Sequence, residues 1–180
     1  MIKRAYPPGP ERKRKTSAPS AYKRALNEKQ KLRNYYGLSE HQLKKYVLGI
    51  LAKQKKVQDI AEELIKRLEK RLDSVVFSLG LAKSRTQARQ LVSHGYFSVN
   101  NKPVNVPSFG TKKGDIVALK EGKKKKNIFQ SMIVELKKKE TPIWLEIDKN
   151  TLVGKIKGEP SLKEIIPPAE ISIIFEFYSR

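Results

Sequence analysis

Apolar residues recur along this chain with a helical period at first and an alternating one later, and the change of period divides it. After Ser20, the positions Tyr22, Ala25, Leu26, Leu32 and Tyr36 fall mostly on one side of a helix that Gly37 is placed to stop. Ser39 with Gln42 forms a capping box ahead of Leu43, Tyr46, Val47, Ile50 and Leu51, whose i, i+3, i+4, i+7, i+8 spacing makes one apolar stripe. Asp59 with Glu62 opens a third helix carrying Ile60, Leu64, Leu68 and Leu72. Stripes of this kind predict that the three helices pack on one another.

Leu72, Val75, Val76 and Leu79 continue a helical face into Gly80, and Ser84 with Gln87 caps a short second helix with Ala88, Leu91 and Val92 inward, ended by Gly95. Alternation then takes over. Phe97 and Val99 form a strand, Asn100-Asn101 supplies the turn, and Val104 and Val106 extend the returning strand until Pro107 stops it. Gly114-Asp115 is a second turn before a strand from Ile116 to Leu119. Farther on, Phe129, Met132, Ile133 and Leu136 share a helical face, and Trp144 to Ile147 alternates. Leu152 to Ile156 can pair with that strand across Asp148-Lys149-Asn150, and a final strand is predicted from Ile171 to Phe177, ahead of Tyr178-Ser179-Arg180. Trp144 fits two roles, a platform for a nucleobase or a core residue beside Ile143 and Leu145.

Charge changes the meaning of these elements. Lys and Arg number 39 against 18 Asp and Glu, a formal net charge of +21 in 180 residues, so the folded chain repels itself unless a polyanion neutralises it. Nucleic acid is the polyanion such a balance points to. A basic chain also suits an anionic membrane surface, but no apolar run approaches the ~18 residues of a spanning helix, and no signal-peptide core is present. The chain has no Cys, which excludes disulfides and thiolate metal sites, and its two His, His41 and His94, lie far apart. No metal and no cofactor is expected.

The cations are grouped. Met1 to Ser20 holds Pro7, Pro8, Pro10 and Pro19 with the run Arg12-Lys13-Arg14-Lys15 and almost nothing to bury, which predicts an extended basic arm that orders on RNA or else only solubilises. Lys23, Arg24, Lys29, Lys31, Arg33, Lys44 and Lys45 load the polar faces of the first two helices with too little Glu for simple i,i+4 pairing. Arg85 and Arg89, i,i+4 neighbours near the start of the helix capped by Ser84, are expected to look outward, with Gln90 and His94 farther along and Lys83 just before. That helix start adds partial positive charge and unpaired N–H groups, both favourable to phosphate. The Gly122 to Lys126 run is either a solvated linker or a connector that tracks phosphates.

These residues together carry a resemblance. The run RLDSVVFSLGLAKSRTQARQLVSHG, followed by FSVNNKPVNVPS and KKGD, resembles the small RNA-binding module first named from the small-subunit ribosomal protein S-four family. KRAYPPG, NEKQKLRNYYGLSEHQLKKY, TPIWLEID and the closing FEFYSR are similar to other parts of that family in order and spacing, so the likeness spans nearly the whole chain. It implies that Arg85, Thr86, Arg89, Gln90 and His94 lie on the module's RNA-facing helix, Asn100 and Lys102 on its hairpin, and Ser108 on the following loop. It implies rRNA contacts for Lys29, Gln30, Lys31, Arg33 and Tyr36, and a C-terminal tail that folds back on the helical part. Many members carry a longer N-terminal extension with zinc-binding Cys; this chain is expected to be of the bacterial or organellar type without it.

The expected fold class is α+β: a helical domain completed by the C-terminal segment, an inserted module of two short helices on a small, mainly antiparallel twisted sheet, and a basic arm. The expected boundaries are residues 1–19 for the arm, 20–70 with about 160–180 for the helical domain, 71–120 for the module, and 121–159 for a connector, helix and strands packed with it. The expected function is that of a structural constituent of the small ribosomal subunit, binding a folded rRNA junction early in assembly. The resemblance further implies neighbouring small-subunit proteins as partners, a place where mRNA enters the subunit, and effects on mRNA unwinding and decoding accuracy. A bacterial-type cytoplasm is the expected location, with an organellar ribosome as the other setting. Two other functions compete. The same module is attached to RNA-modifying enzymes, but the chain holds no Gly-rich cofactor loop, and Asp73, Asp115 and Asp148 read as helix-start or turn residues. A free RNA-binding translational regulator is the third reading.

Overall fold

A computed structural model describes residues 18–53, 59–124, 129, 141–148, 151–161, 165 and 167–179, the side chain of Lys124 excepted. The arm cations Arg12, Lys13, Arg14 and Lys15 lie outside the described residues, as do Met132, Ile133 and Leu136 and the turn residues Lys149 and Asn150. Among the described residues the order is α1 (Ala21–Tyr35), α2 (Glu40–Leu51), α3 (Ile60–Glu69), α4 (Leu72–Ser78), α5 (Arg85–Ser93), β1 (Phe97–Val99), β2 (Lys102–Val104), β3 (Ile116–Leu119), the single turn α6 (Glu121–Lys124), β4 (Leu145–Asp148), β5 (Val153–Ile156) and α7 (Ile171–Ser179). The fold is α+β, with every strand pairing antiparallel.

Helix starts follow the capping signals. Ser39 and Gln42 form a reciprocal capping box on α2, and the Asp59 carboxylate accepts from the N–H groups of Ala61 and Glu62 at the head of α3. Ser84 accepts from Gln87 N, but the Gln87 side chain reaches past Ser84 to the N–H of Lys83, 2.7 Å away. The cap at α5 is therefore one residue wider than the predicted box.

Two apolar cores result. In the first, Leu32, Leu43, Val47, Ile50, Leu64 and Leu68 from α1 to α3 meet Ile171, Ile174 and Phe175 of α7. The second lies between the α4–α5 pair and the sheet, where Leu72, Val76, Ala88, Leu91 and Val92 pack on Phe97, Val99, Val117, Leu119 and Ile156. Sheet order is β2-β1-β3-β5-β4, so β4 and β5 extend the module's sheet beyond its own strands. Phe97 stands opposite Leu119, and Val117 opposite Gly154. The β1–β2 turn has φ of 49° at Asn100 and 64° at Asn101, the doubly left-handed geometry of a tight hairpin, which Asn tolerates. Gly154 faces Leu79 so closely that a Cβ would sit 2.4 Å from its Cδ1. Trp144 is a core residue, 3% exposed.

The C-terminal element corrects the sequence expectation. Ile171 to Phe177 is helical, not a strand. Its β-branched and aromatic residues favour a strand locally, but Ile171, Ile174, Phe175 and Tyr178 repeat at i, i+3, i+4, i+7 and fill the gap beside α1 and α2. Packing overrides propensity there. The returning strand also ends earlier than expected, at Val104, leaving Val106 half exposed.

Candidate nucleic-acid interface

Helix α5 presents Thr86, Gln90 and His94, spaced i, i+4, i+8, to solvent, with exposed Lys83 in the turn before it. Gln90 and His94 are outward positions that the helical spacing pointed to, and the resemblance placed Thr86 on the same helix. Arg85 is not among them, which corrects the expectation that it looks outward. It shares the stripe of Ala88 and Val92, at i+3 and i+7, so its side chain turns inward and is only 13% exposed. Its guanidinium donates to Glu69 Oε1 at 2.9 Å and to Ser74 Oγ at 3.1 Å, and lies 4.5 Å from the ring centroids of both Tyr35 and Tyr36 and 4.9 Å from that of Phe77. Burial pulls the Arg85 pKa down, but Glu69 and the tyrosines outweigh it and hold the pKa above its ordinary value.

Tyr36 belongs to the same cluster. Predicted to touch RNA, it is 4% exposed, and its hydroxyl donates to the Glu69 oxygen that Arg85 uses, at 2.8 Å. Burial and then the Glu69 charge push its pKa far up, so the phenol stays protonated and remains a donor. Lys29 is the third inward cation or phenol. It lies three residues before Leu32 and seven before Tyr36, hence on the α1 core stripe; its Nζ donates to Glu40 at 2.7 Å and sits 4.6 Å from the Phe177 ring centroid. The Tyr178 hydroxyl donates to the same Glu40 oxygen at 2.6 Å.

The other α1 candidates lie nearer water. Gln30 and Lys31 are exposed, Lys31 with a 2.6 Å pair to Glu28. Arg33 is half-buried, bonded to Asn34 and 4.0 Å from Glu40. Lys23, Arg24, Lys44 and Lys45 are exposed. Arg89 is also half-buried: its Nη1 donates to the carbonyl of Gly37 at 2.8 Å, joining α5 to the end of α1. The predicted helical surface thus splits by stripe into an inner set, in which Arg85 with Tyr36 ties the two cores together and Lys29 ties α1 to α2 and α7, and an outer set that faces solvent.

Lys102 on the hairpin and Ser108 on the loop after it are exposed. Asn100 is exposed too, but its side chain is engaged: it donates to Asp115 at 2.8 Å and accepts from Ile116 N at 2.9 Å, so it shapes the loop. The sequence reading missed Arg71, which is 1% exposed and clamps Asp73 through both carboxylate oxygens, at 3.0 and 2.6 Å, while donating to Tyr46 at 3.0 Å. Only the i,i+2 spacing of Arg71 and Asp73 hinted at that pair. Among the described residues no group of acidic and His side chains could hold a metal, and no helix is long and apolar enough to cross a membrane.

The fold and surface define a class: a basic α+β protein whose short helix pair and hairpin form an RNA-binding type of module beside a helical body. Comparison with known proteins narrows it. Residues 70–117 match the family model described as the S4 domain, and residues 1–69 match that described as the ribosomal protein S4/S9 N-terminal domain. The chain is 41% identical over 179 residues to the small ribosomal subunit protein uS4 of Desulforapulum autotrophicum, covering 99% of this chain and 84% of that one. It is 41% identical over 181 residues to uS4 of Caldicellulosiruptor saccharolyticus, covering 100% and 85%, and 40% identical over 180 residues to uS4 of Acetivibrio thermocellus, with the same shares. The chain belongs to the uS4 family of small ribosomal subunit proteins, a family of structural proteins and not of enzymes.

Proposed function

We propose that this chain is a structural constituent of the small ribosomal subunit that binds a folded junction of small-subunit rRNA early in assembly. The observation that carries this reading is likeness to proteins named uS4 over the whole of this chain and 85% of theirs, in a chain of net charge +21. A-form RNA hides its base edges in a deep groove, so a protein recognises such a junction by shape, phosphates and 2′-hydroxyls. The outer set suits recognition of that kind, because Gln30 and Lys31 on α1, Lys83, Thr86, Gln90 and His94 around α5, Lys102 on the hairpin and Ser108 on the loop after it are exposed on a framework fixed by two cores. Arg33 and Arg89 are half-buried, each with a partner inside the chain. Arm residues Arg12 to Lys15 add four positive charges to the chain's balance.

Binding early orders several RNA helices with respect to one another and lowers the entropic cost of later assembly. The resemblance also supports neighbouring small-subunit proteins as partners, a position where mRNA enters, and a contribution to mRNA unwinding and decoding accuracy, in a cytoplasmic or organellar ribosome. Sedimentation tests the reading: the chain, tagged and expressed in a bacterial host, co-migrates with small subunits at moderate salt. A chain found only in the free fraction, with small subunits intact, overturns it.

A further inference from the structure

Beside the hairpin is a cleft of about 290 Å³ lined by Val99, Lys102, Val104, Phe109, Lys112 and Asp115, among others. It sits at the lower end of the ~300–1,000 Å³ of small-ligand pockets, large enough for a planar base. One wall is Phe109, which is 37% exposed. Single exposed apolar side chains are ordinary, but this one stands on a loop with no slack. Phe109 O accepts from Leu72 N at 2.9 Å and Phe109 N donates to Val106 O at 3.1 Å, while Asp73 N donates to Pro107 O at 3.2 Å. Thr111 N and Oγ1 both donate to Lys70 O, at 2.8 and 2.9 Å, and Lys112 N donates to Asp115 Oδ2 at 2.8 Å. The loop is fastened to the α3–α4 junction, the seam between the cores, and still leaves Phe109 partly exposed.

The mouth of the cleft is cationic. Lys102 and Lys112 are both exposed, and neither has an acidic ion-pair partner among the described residues. Asp115, the acid in the cleft, is engaged: one carboxylate oxygen accepts from Asn100 and the other from Lys112 N. An aromatic wall held rigid, an apolar floor from Val99 and Val104, and two cations at the rim are the parts that seat one unstacked nucleotide.

We propose that this cleft takes a single extruded nucleotide of the bound RNA, its base stacked on Phe109 and its flanking phosphates on Lys102 and Lys112. The inference rests on the rRNA-binding reading and adds to it a base-contacting position on a surface otherwise suited to backbone and shape. Rigidity matters because a platform ordered in advance loses no conformational freedom on binding.

The test uses the full chain bound to small-subunit rRNA. Short-wave ultraviolet light, followed by mass mapping, is expected to join a nucleotide to the peptide containing Phe109. Phe109→Ala is expected to lose that adduct and weaken binding about 5- to 150-fold, the equivalent of ~1–3 kcal/mol per stacked base; Phe109→Trp keeps both. Lys102→Gln with Lys112→Gln is expected to lower the slope of log affinity against log salt by about 1.4 to 1.8, near 0.7–0.9 per phosphate. Melting curves of each variant exclude unfolding as the cause. Wild-type affinity and an unchanged adduct pattern in a folded Phe109→Ala chain overturn the cleft assignment alone. An adduct between this peptide and another ribosomal protein in assembled subunits also overturns it, since a protein then covers the cleft. A wild-type chain that fails to bind the rRNA overturns the function as well.

Discussion

Arg85 is surrounded by a carboxylate, a hydroxyl and three aromatic rings, and that environment sets what its removal does. Truncation to Ala leaves Glu69, 2% exposed, with Tyr36 as its remaining side-chain donor among the described residues, so Arg85→Ala is expected to lower stability by ~3–5 kcal/mol in urea denaturation. Lys102→Ala, by contrast, is expected to stay within about 0.5 kcal/mol of wild type in the same measurement. Joint replacement of Arg85 and Arg89 therefore cannot isolate RNA binding from folding. Residue chemistry alone misplaces such cations; their stripe position does not. Arg85 with Ala88 and Val92, and Lys29 with Leu32 and Tyr36, keep helical register with core residues, and that spacing was visible in the sequence. The carboxylates that receive them, Glu69 and Glu40, come from other helices and were not visible.

Acid titration also acts through single residues. Burial raises the Glu40 pKa, but Lys29, Tyr178 and Arg33 more than offset this and hold it below its ordinary value; Lys31 and Lys70 do the same for Glu28 and Glu159. A carboxylate depressed in the folded state contributes stability that is complete above its unfolded pKa, about 4.3 for Glu. That contribution is lost as pH falls through the lower folded value. Thermal melts across acid pH are thus expected to show stability falling below about pH 4.3, and Glu40→Gln is expected to flatten part of that fall.

At the scale of the element, α1 to α5, the hairpin and the central strands follow from caps, stripes and alternation. The failure lies at α7, where IleSerIleIlePheGluPheTyr satisfies strand propensity and helical spacing together. Only the gap left by α1 and α2 decides between them, and that is a tertiary fact. Strand β5 carries a similar constraint, since Gly154 makes room for Leu79 of the turn after α4. Gly154→Val is expected to overpack this contact and cost ~1–3 kcal/mol. Leu91→Ala, at a site 5% exposed, is expected to cost ~2–5 kcal/mol by opening a cavity between α5 and the sheet; chemical denaturation checks both.

For the whole molecule, the two cores are held in fixed relation by Arg85–Glu69–Tyr36, by Arg71 with Asp73 and Tyr46, and by Arg89 on the Gly37 carbonyl. Exposed cations on both bodies are therefore expected to engage one folded rRNA junction together. Footprinting of the full chain on small-subunit rRNA, with cleavage reagents tethered in turn at Lys31 and at Lys102, tests this most directly. Cuts from both positions are expected within RNA helices that meet at a single junction, with protection there that fades as salt rises. Cuts from only one body, or from the two bodies in unrelated regions of the rRNA, would contradict it.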